Sequence, residues 1–348
     1  MRIVIDLQGA QSESRFHGIG RYSLSLTQAI LRNRGEHEVL VALNAMFVET
    51  IEPIRAALDG LIPQENIRVW LAPGPVKATD PSNRERLQIA ELMYESFLSD
   101  LQPDVVLITS LFDGFGDDAV ASIGQLPTTH KTVAVLYDLI PLVQSEVYLK
   151  PNQAYEAFYR SKLEYIKRAD AWLTISESSL NEAVKYLDLS PERMTNISAA
   201  CDAIFTKLDI SALDRPSLSQ HFGLAKHFVL YSGGADARKN LRCLLSVYSK
   251  LPEAVSDKFQ LVIAGKIPEA NMQALRSYAR SCSIPDQKLV FTGNVTDLDL
   301  CRLYTTEDLI DWFRHIADAS EELRDEFEAM KDSGATPKDY GLRVQSHP

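Results

Sequence analysis

The segment Ser232-Gly-Gly-Ala-Asp-Ala-Arg-Lys-Asn-Leu241 carries the residue types that hold a phosphate. Gly233 and Gly234 follow a strand-like run, Phe228–Tyr231, and Arg238 and Lys239 stand where a helix-like run, Leu241–Tyr248, begins. Glycines let backbone N–H groups approach an anion, and a helix N-terminus adds positive potential. Two cations add charge-assisted hydrogen bonds of roughly 1.5–3 kcal/mol each. The competing reading is a solvated basic pair, which a helix N-terminus mildly disfavours. That local cost argues for an anion that offsets it.

Three other stretches bear on chemistry. His17-Gly-Ile-Gly-Arg-Tyr-Ser23 sets Gly18 and Gly20 at a helix start just after the first strand. The third glycine of a dinucleotide fingerprint is absent, with Ser23 in its place, so a ligand loop and a plain helix-entry turn both remain open. Leu136-Tyr-Asp-Leu-Ile-Pro-Leu142 puts Tyr137 and Asp138 at the end of the fifth strand, where the carboxylate would orient a substrate hydroxyl or form a turn before Pro141. Thr174-Ile-Ser-Glu-Ser-Ser179 reads first as a helix N-cap series.

Short β-branched runs recur at Ile3–Ile5, Val39–Leu43, Ile67–Leu71, Val105–Ile108, Thr132–Leu136, Ala171–Ile175 and Asn196–Ser198. Helix-like segments such as Arg21–Arg32, Glu85–Leu101, Tyr155–Arg168 and Ser179–Leu187 fall between them. Nearly continuous apolar strands alternating with amphipathic helices predict a parallel sheet covered on both faces, the doubly wound α/β class. In such a sheet the glycine turns and Asp138 all lie at the carboxyl edge, where ligands bind. The rhythm restarts at Phe228–Tyr231, Gln260–Ala264 and Lys288–Phe291, with helices near Leu241–Ser249 and Met272–Ser281. The expected organisation is a domain at 1–205, an irregular linker at 206–226 and a partial second domain of about three strands at 227–305.

Residues 306–348 break the pattern. They hold eleven Asp or Glu against five Lys or Arg, and Asp308 to Met330 reads as one acidic amphipathic helix. The whole chain has 348 residues and a formal net charge of −11, which makes nucleic acid a poor partner. Cys201, Cys243, Cys282 and Cys301 form no CxxC pair, so reduced, buried thiols in a cytoplasmic protein are expected and no metal site is. No run approaches ~20 apolar residues, so any membrane contact, at the inner membrane, is expected to be peripheral.

Taken in order, these motifs resemble glycosyltransferase family 4, whose GT-B architecture has two Rossmann-like domains. Ile5-Asp-Leu-Gln-Gly-Ala-Gln11, Gly18-Ile-Gly-Arg-Tyr22, Tyr137-Asp-Leu-Ile-Pro141, Ile175-Ser-Glu-Ser178, Ala200-Cys-Asp-Ala-Ile-Phe205 and Gly234-Ala-Asp-Ala-Arg-Lys-Asn240 carry the likeness, which looks most like bacterial O-antigen mannosyltransferases and covers roughly residues 1–305. The resemblance implies that Arg238, Lys239, Gly233 and Gly234 bind the donor diphosphate. It puts Gly18 and Gly20 under the transferred sugar and Tyr137 and Asp138 on the acceptor side. It further implies a retaining transfer without metal or cofactor, from a nucleotide sugar such as GDP-mannose to a lipid-linked or polysaccharide acceptor of the cell surface. Two departures stand out. Tyr137 replaces a histidine common in relatives, and no glutamate pair after residue 293 has the family's Glu-x7-Glu spacing. The alternative is therefore a non-catalytic remnant that binds nucleotide or acts as an assembly partner.

Overall fold

A computed structural model of the chain describes residues 1–202, 204–205, 214–225, 227–236 and 239–306. The chain divides into two compact units, Met1–Ala200 and Cys201–Pro348. The division falls ahead of the expected boundary at 205. The reason is local: Cys301 Sγ donates to the Ile204 carbonyl at 3.1 Å, and the Phe205 ring meets Tyr304 at 6.4 Å, so both residues pack into the second unit.

The first unit is built on a seven-stranded sheet, β1 (Arg2–Asp6), β2 (Glu38–Asn44), β3 (Ile67–Trp70), β4 (Val105–Ile108), β5 (Lys131–Leu136), β6 (Ala171–Thr174) and β7 (Met194–Asn196). Its order is β3-β2-β1-β4-β5-β6-β7 and every pairing is parallel. Alternate residues feed opposite cores. Val4, Leu40, Ala42, Val106, Ile108, Ala134 and Leu136 pack on one face with Ala90, Tyr94 and Leu98 of helix Arg84–Asp100 and with Tyr159 and Leu163 of helix Gln153–Ile166. Ile5, Val39, Val41, Leu43, Leu107 and Val135 pack on the other with Leu31 of helix Gly18–Arg32 and Ile54 of helix Val48–Ala57. This is the covered parallel sheet that the apolar runs demand.

Order reverses between β1 and β4, so the segments that leave these two strands flank the crevice at the carboxyl edge. The seventh strand lies two residues earlier than its expected place at Asn196–Ser198. Ser198 has φ 57°, and its N–H is taken by Asn196 Oδ1 at 2.9 Å, a turn geometry that ends the strand.

The second unit carries β8 (His227–Ser232), β9 (Phe259–Ala264) and β10 (Leu289–Gly293) in the parallel order β10-β9-β8. Val229, Leu261 and Ile263 pack against Leu241 and Leu245 of helix Leu241–Ser249 and Leu275 of helix Glu269–Ser281. The opposite face is closed by part of the span expected as a linker at 206–226. Residues Asp214–Phe222 form a helix, and Leu218 and Leu224 are buried with Phe228, Val262, Ala264 and Leu303. Burial of those two leucines, not helix propensity, fixes the segment.

The cysteine expectation also needs correction. Cys301 is buried, but Cys201 and Cys243 are exposed and Cys282 is half-buried. On helix Leu241–Ser249 the inward positions are 241, 245 and 248, which turns Cys243 outward. The acidic segment Asp308 to Met330 lies outside the described residues.

Candidate functional site

At the carboxyl end of β8, Gly233 has φ 143° and its N–H donates to the Ala264 carbonyl at 3.0 Å. Gly265, which follows β9, has φ 133°, and a Cβ there would lie 2.7 Å from the Gly233 carbonyl oxygen. The two glycines thus allow a close approach of backbones that side chains would prevent. Tyr231 pins the turn by donating its hydroxyl to the Gly234 carbonyl at 2.8 Å. Gly233 and Gly234 are exposed, and a Cβ on Gly234 would meet nothing within 4 Å.

The chain then passes through Lys239, exposed, to Asn240, which enters helix Leu241–Ser249 in the left-handed conformation at φ 51° without a side-chain cap. The helix accordingly starts with N–H groups that no cap satisfies, beside a lysine. Arg238 lies outside the described residues. Lys266, exposed directly after Gly265, adds a cation at the end of β9 that the motif reading passed over. The signal for it was the Ala264-Gly265-Lys266 triplet closing an apolar strand.

In the first unit, helix Gly18–Arg32 follows His17, whose side chain makes no cap bond. Gly18 is exposed with nothing near its Cβ position, whereas Gly20 is buried against the turn Glu13–Phe16. A Cβ on Gly20 would fall 2.4 Å from Arg15 Cα and 2.5 Å from the Ser14 carbonyl oxygen. The two glycines therefore differ in kind, Gly20 answering a packing demand and Gly18 facing open space. We expect Gly18→Ala to leave stability unchanged or to raise it by up to about 1 kcal/mol through added helix propensity. Gly20→Ala should lower stability by roughly 1–3 kcal/mol through overpacking. Calorimetric melts of both variants check this, and equal shifts would contradict the distinction.

The turn itself is hung from the segment after β4, which the motif reading did not single out. Ser12 Oγ and Ser14 Oγ donate to the Asp113 carboxylate at 2.9 and 2.6 Å, and Glu13 N donates to Asp117 Oδ2 at 2.7 Å. Asp118 Oδ1 accepts from Val76 N and Lys77 N at 2.6 and 3.1 Å, tying in the segment after β3. Burial raises the Asp113 carboxyl above its usual range against the pull of hydrogen bonds from Ser14, Ser110 and Ser12.

Tyr137 and Asp138 do stand at the end of β5, with different roles. The Tyr137 hydroxyl donates to the Thr109 carbonyl at 3.0 Å and lies 3.0 Å from Ser23 Oγ, and burial holds the phenol well above its ordinary pKa. Ser23, in the place of a third glycine, thus joins the first helix to the end of β5. Asp138 is exposed and Oδ1 accepts from Ile140 N at 3.1 Å, the turn-forming role. Ser176 caps helix Glu177–Leu187 by accepting from Ser179 N at 3.1 Å. Beneath these groups Asp6, fully buried at the end of β1, accepts from Gln8 Nε2 and the Tyr94 hydroxyl, each at 3.1 Å. Burial pushes its carboxyl up to about 7.

Among the described residues no group of three or more His, Cys, Asp or Glu is arranged to hold a metal ion, and no helix is long and apolar enough to cross a membrane.

Two Rossmann-like units with glycine turns at the carboxyl edges of parallel sheets are the GT-B glycosyltransferase fold. The likeness to solved structures agrees: WaaG, a glycosyltransferase involved in lipopolysaccharide biosynthesis, superposes with a TM-score of 0.53 at 15% identity over 88% of this chain and 73% of that one. HepE of Anabaena in complex with UDP-glucose gives 0.53 at 14% identity over 88% and 72%. By sequence the chain is similar to a serotype-specific mannosyltransferase, WbdA of Escherichia coli, at 35% identity over 306 residues, and so to bacterial mannosyltransferases of O-antigen synthesis. That match takes in 87% of this chain and 36% of the relative, so the chain spans about a third of the relative's length. A family model described as the Z1 domain matches residues 297–348. Its first part includes helix Asp297–Thr306, whose Leu303 is buried with Phe228 and Val262 in the second unit.

Proposed function

We propose that the chain binds a nucleotide-sugar donor, GDP-mannose in the first place, and transfers the sugar to a growing cell-surface polysaccharide with retention at the anomeric carbon, as a family 4 enzyme. The observation that carries this reading is the 35% identity to a mannosyltransferase over 306 residues. The chemistry of the second unit supports it. A departing nucleoside diphosphate gains negative charge as the glycosidic bond breaks, and Lys239, Arg238 and the uncapped amides of the helix that follows would stabilise that charge without a metal. The edge of the first sheet, with Gly18 facing open space, would lie under the transferred sugar, and Asp138 would border the acceptor.

A second reading, a nucleotide-binding remnant without turnover, has its own observation. The Glu-x7-Glu pair is absent after residue 293, and the Z1 match occupies the positions from 297 on. Diphosphate contacts stabilise the departing charge but do not orient the sugar at its anomeric carbon, so much of the barrier remains unless the sugar is also positioned. Loss of that positioning costs factors of ~100 or more.

Both readings predict that GDP raises the melting temperature, by the equivalent of about 2.7 kcal/mol at a hundred times its dissociation constant. Incubation with labelled GDP-mannose and a lipid-linked acceptor separates them. Slow multiple turnover supports the transferase, GDP stabilisation without turnover supports the remnant, and indifference to GDP and UDP alike would remove both.

A further inference from the structure

The turn after β8 is held from one side by two side chains that lie outside the glycine and lysine positions. Tyr231 donates its hydroxyl to the Gly234 carbonyl at 2.8 Å, and Asn271 Nδ2, on helix Glu269–Ser281, donates to the Ala235 carbonyl at 3.4 Å. Tyr231 and Ala235 also pack on the core that this helix shares with helix Leu241–Ser249. Two successive carbonyls are thus drawn toward the same layer of helices.

A trans peptide sets its N–H opposite its C=O, and neither of these two peptides is cis. Anchoring the Gly234 and Ala235 carbonyls on the helix side therefore turns the N–H groups of Ala235 and Asp236 the other way. Among the described residues nothing accepts from the Gly234 or the Ala235 N–H. Gly234 is exposed, and a Cβ there would meet nothing within 4 Å, so there is room for a ligand beside these amides. A Gly-Gly turn left to itself samples many backbone conformations, and a ligand would have to order it on binding. Fixing the peptide planes in the free protein removes that cost beforehand. Successive amides that face one way suit an anion, and exposed Lys239 and Lys266 add positive charge nearby.

We propose that Tyr231 and Asn271 are positioning residues for the donor diphosphate, holding the Gly234 and Ala235 carbonyls from behind so that the amides of Ala235 and Asp236 face the phosphate groups. This rests on the reading of the Gly233–Gly234 turn as the diphosphate site of a glycosyltransferase. Neither side chain touches the ligand. Each acts through the backbone it holds.

The test measures binding of GDP, inorganic pyrophosphate and guanosine to wild type, Tyr231→Phe and Asn271→Ala by calorimetry, with a melting curve for each protein. Tyr231→Phe keeps the ring and removes only the hydroxyl that holds Gly234. It should bind GDP and pyrophosphate about tenfold more weakly, the scale of one hydrogen bond. Asn271 is exposed, so its replacement leaves the core untouched, and its longer bond sets a smaller loss of about threefold. Guanosine should bind all three proteins equally. A lower melting temperature with GDP and pyrophosphate affinities as in wild type would make both residues merely structural and overturn the proposal. Weakening of guanosine to the same degree as GDP would overturn it too. Failure of wild type to bind either GDP or pyrophosphate would instead overturn the diphosphate-site reading.

Discussion

Replacing Arg238 and Lys239 together by alanine lowers affinity for a nucleoside diphosphate by roughly a hundredfold while leaving the fold intact. Lys239 is exposed beside the Gly233–Gly234 turn, so its removal opens no cavity. Each lost charge-assisted hydrogen bond is worth roughly 1.5–3 kcal/mol, and two that share one diphosphate add less than their sum. A nucleoside without phosphates should bind equally to wild type and variant, since it gives the cations nothing to hold. Calorimetric titration of GDP and guanosine into both proteins decides the matter. Equal GDP affinities would sink the phosphate site.

The second large effect concerns pH. In the folded state Asp6 keeps its proton up to about pH 7, whereas an ordinary aspartate releases it near 3.8. Between those values the folded state binds more protons than the unfolded one, so stability falls as pH rises. The contribution of the neutral carboxyl is complete below about 3.8 and lost once pH passes about 7, a total of a few kcal/mol at about 1.4 kcal/mol per unit. Asp6→Asn has the same shape and cannot ionise. Its urea midpoint, followed through Trp70 and Trp172, should therefore change less between about pH 5 and 8 than that of wild type, which should decline. Parallel pH profiles for the two proteins would refute the assignment to Asp6.

Most of the sheet architecture was legible because doubly covered strands write themselves as apolar runs. Ile3–Ile5, Val105–Ile108 and Ala171–Ile175 coincide with β1, β4 and β6 within one or two residues. Elements held by tertiary burial were not legible. Helix Asp214–Phe222 contains Pro216 and two serines and has little apolar periodicity, yet Leu218 is 6% exposed. Helix Val48–Ala57 carries Pro53 within it, which reads as a breaker.

The site divided in the same way. Gly233, Gly234 and Lys239 could be singled out from sequence because a glycine turn and a helix entry are local features. Asp113 and Asp117 gave no such sign, because each acts on residues that are distant in sequence, Asp113 on Ser12 and Ser14 and Asp117 on Glu13. Gly18 and Gly20 looked alike in sequence and differ only through what packs behind them.

The suspension of the Glu13–Phe16 turn from Asp113 and Asp117 bears on how specificity at this edge can be exchanged between relatives. A chimera that imports residues 12–17 alone would present hydroxyl and amide donors cut to a different carboxylate spacing. One that imports residues 113–118 alone would leave two acids facing a foreign backbone. The two segments form a single inheritable cassette, and Asp118, through Val76 and Lys77, extends it to the segment after β3.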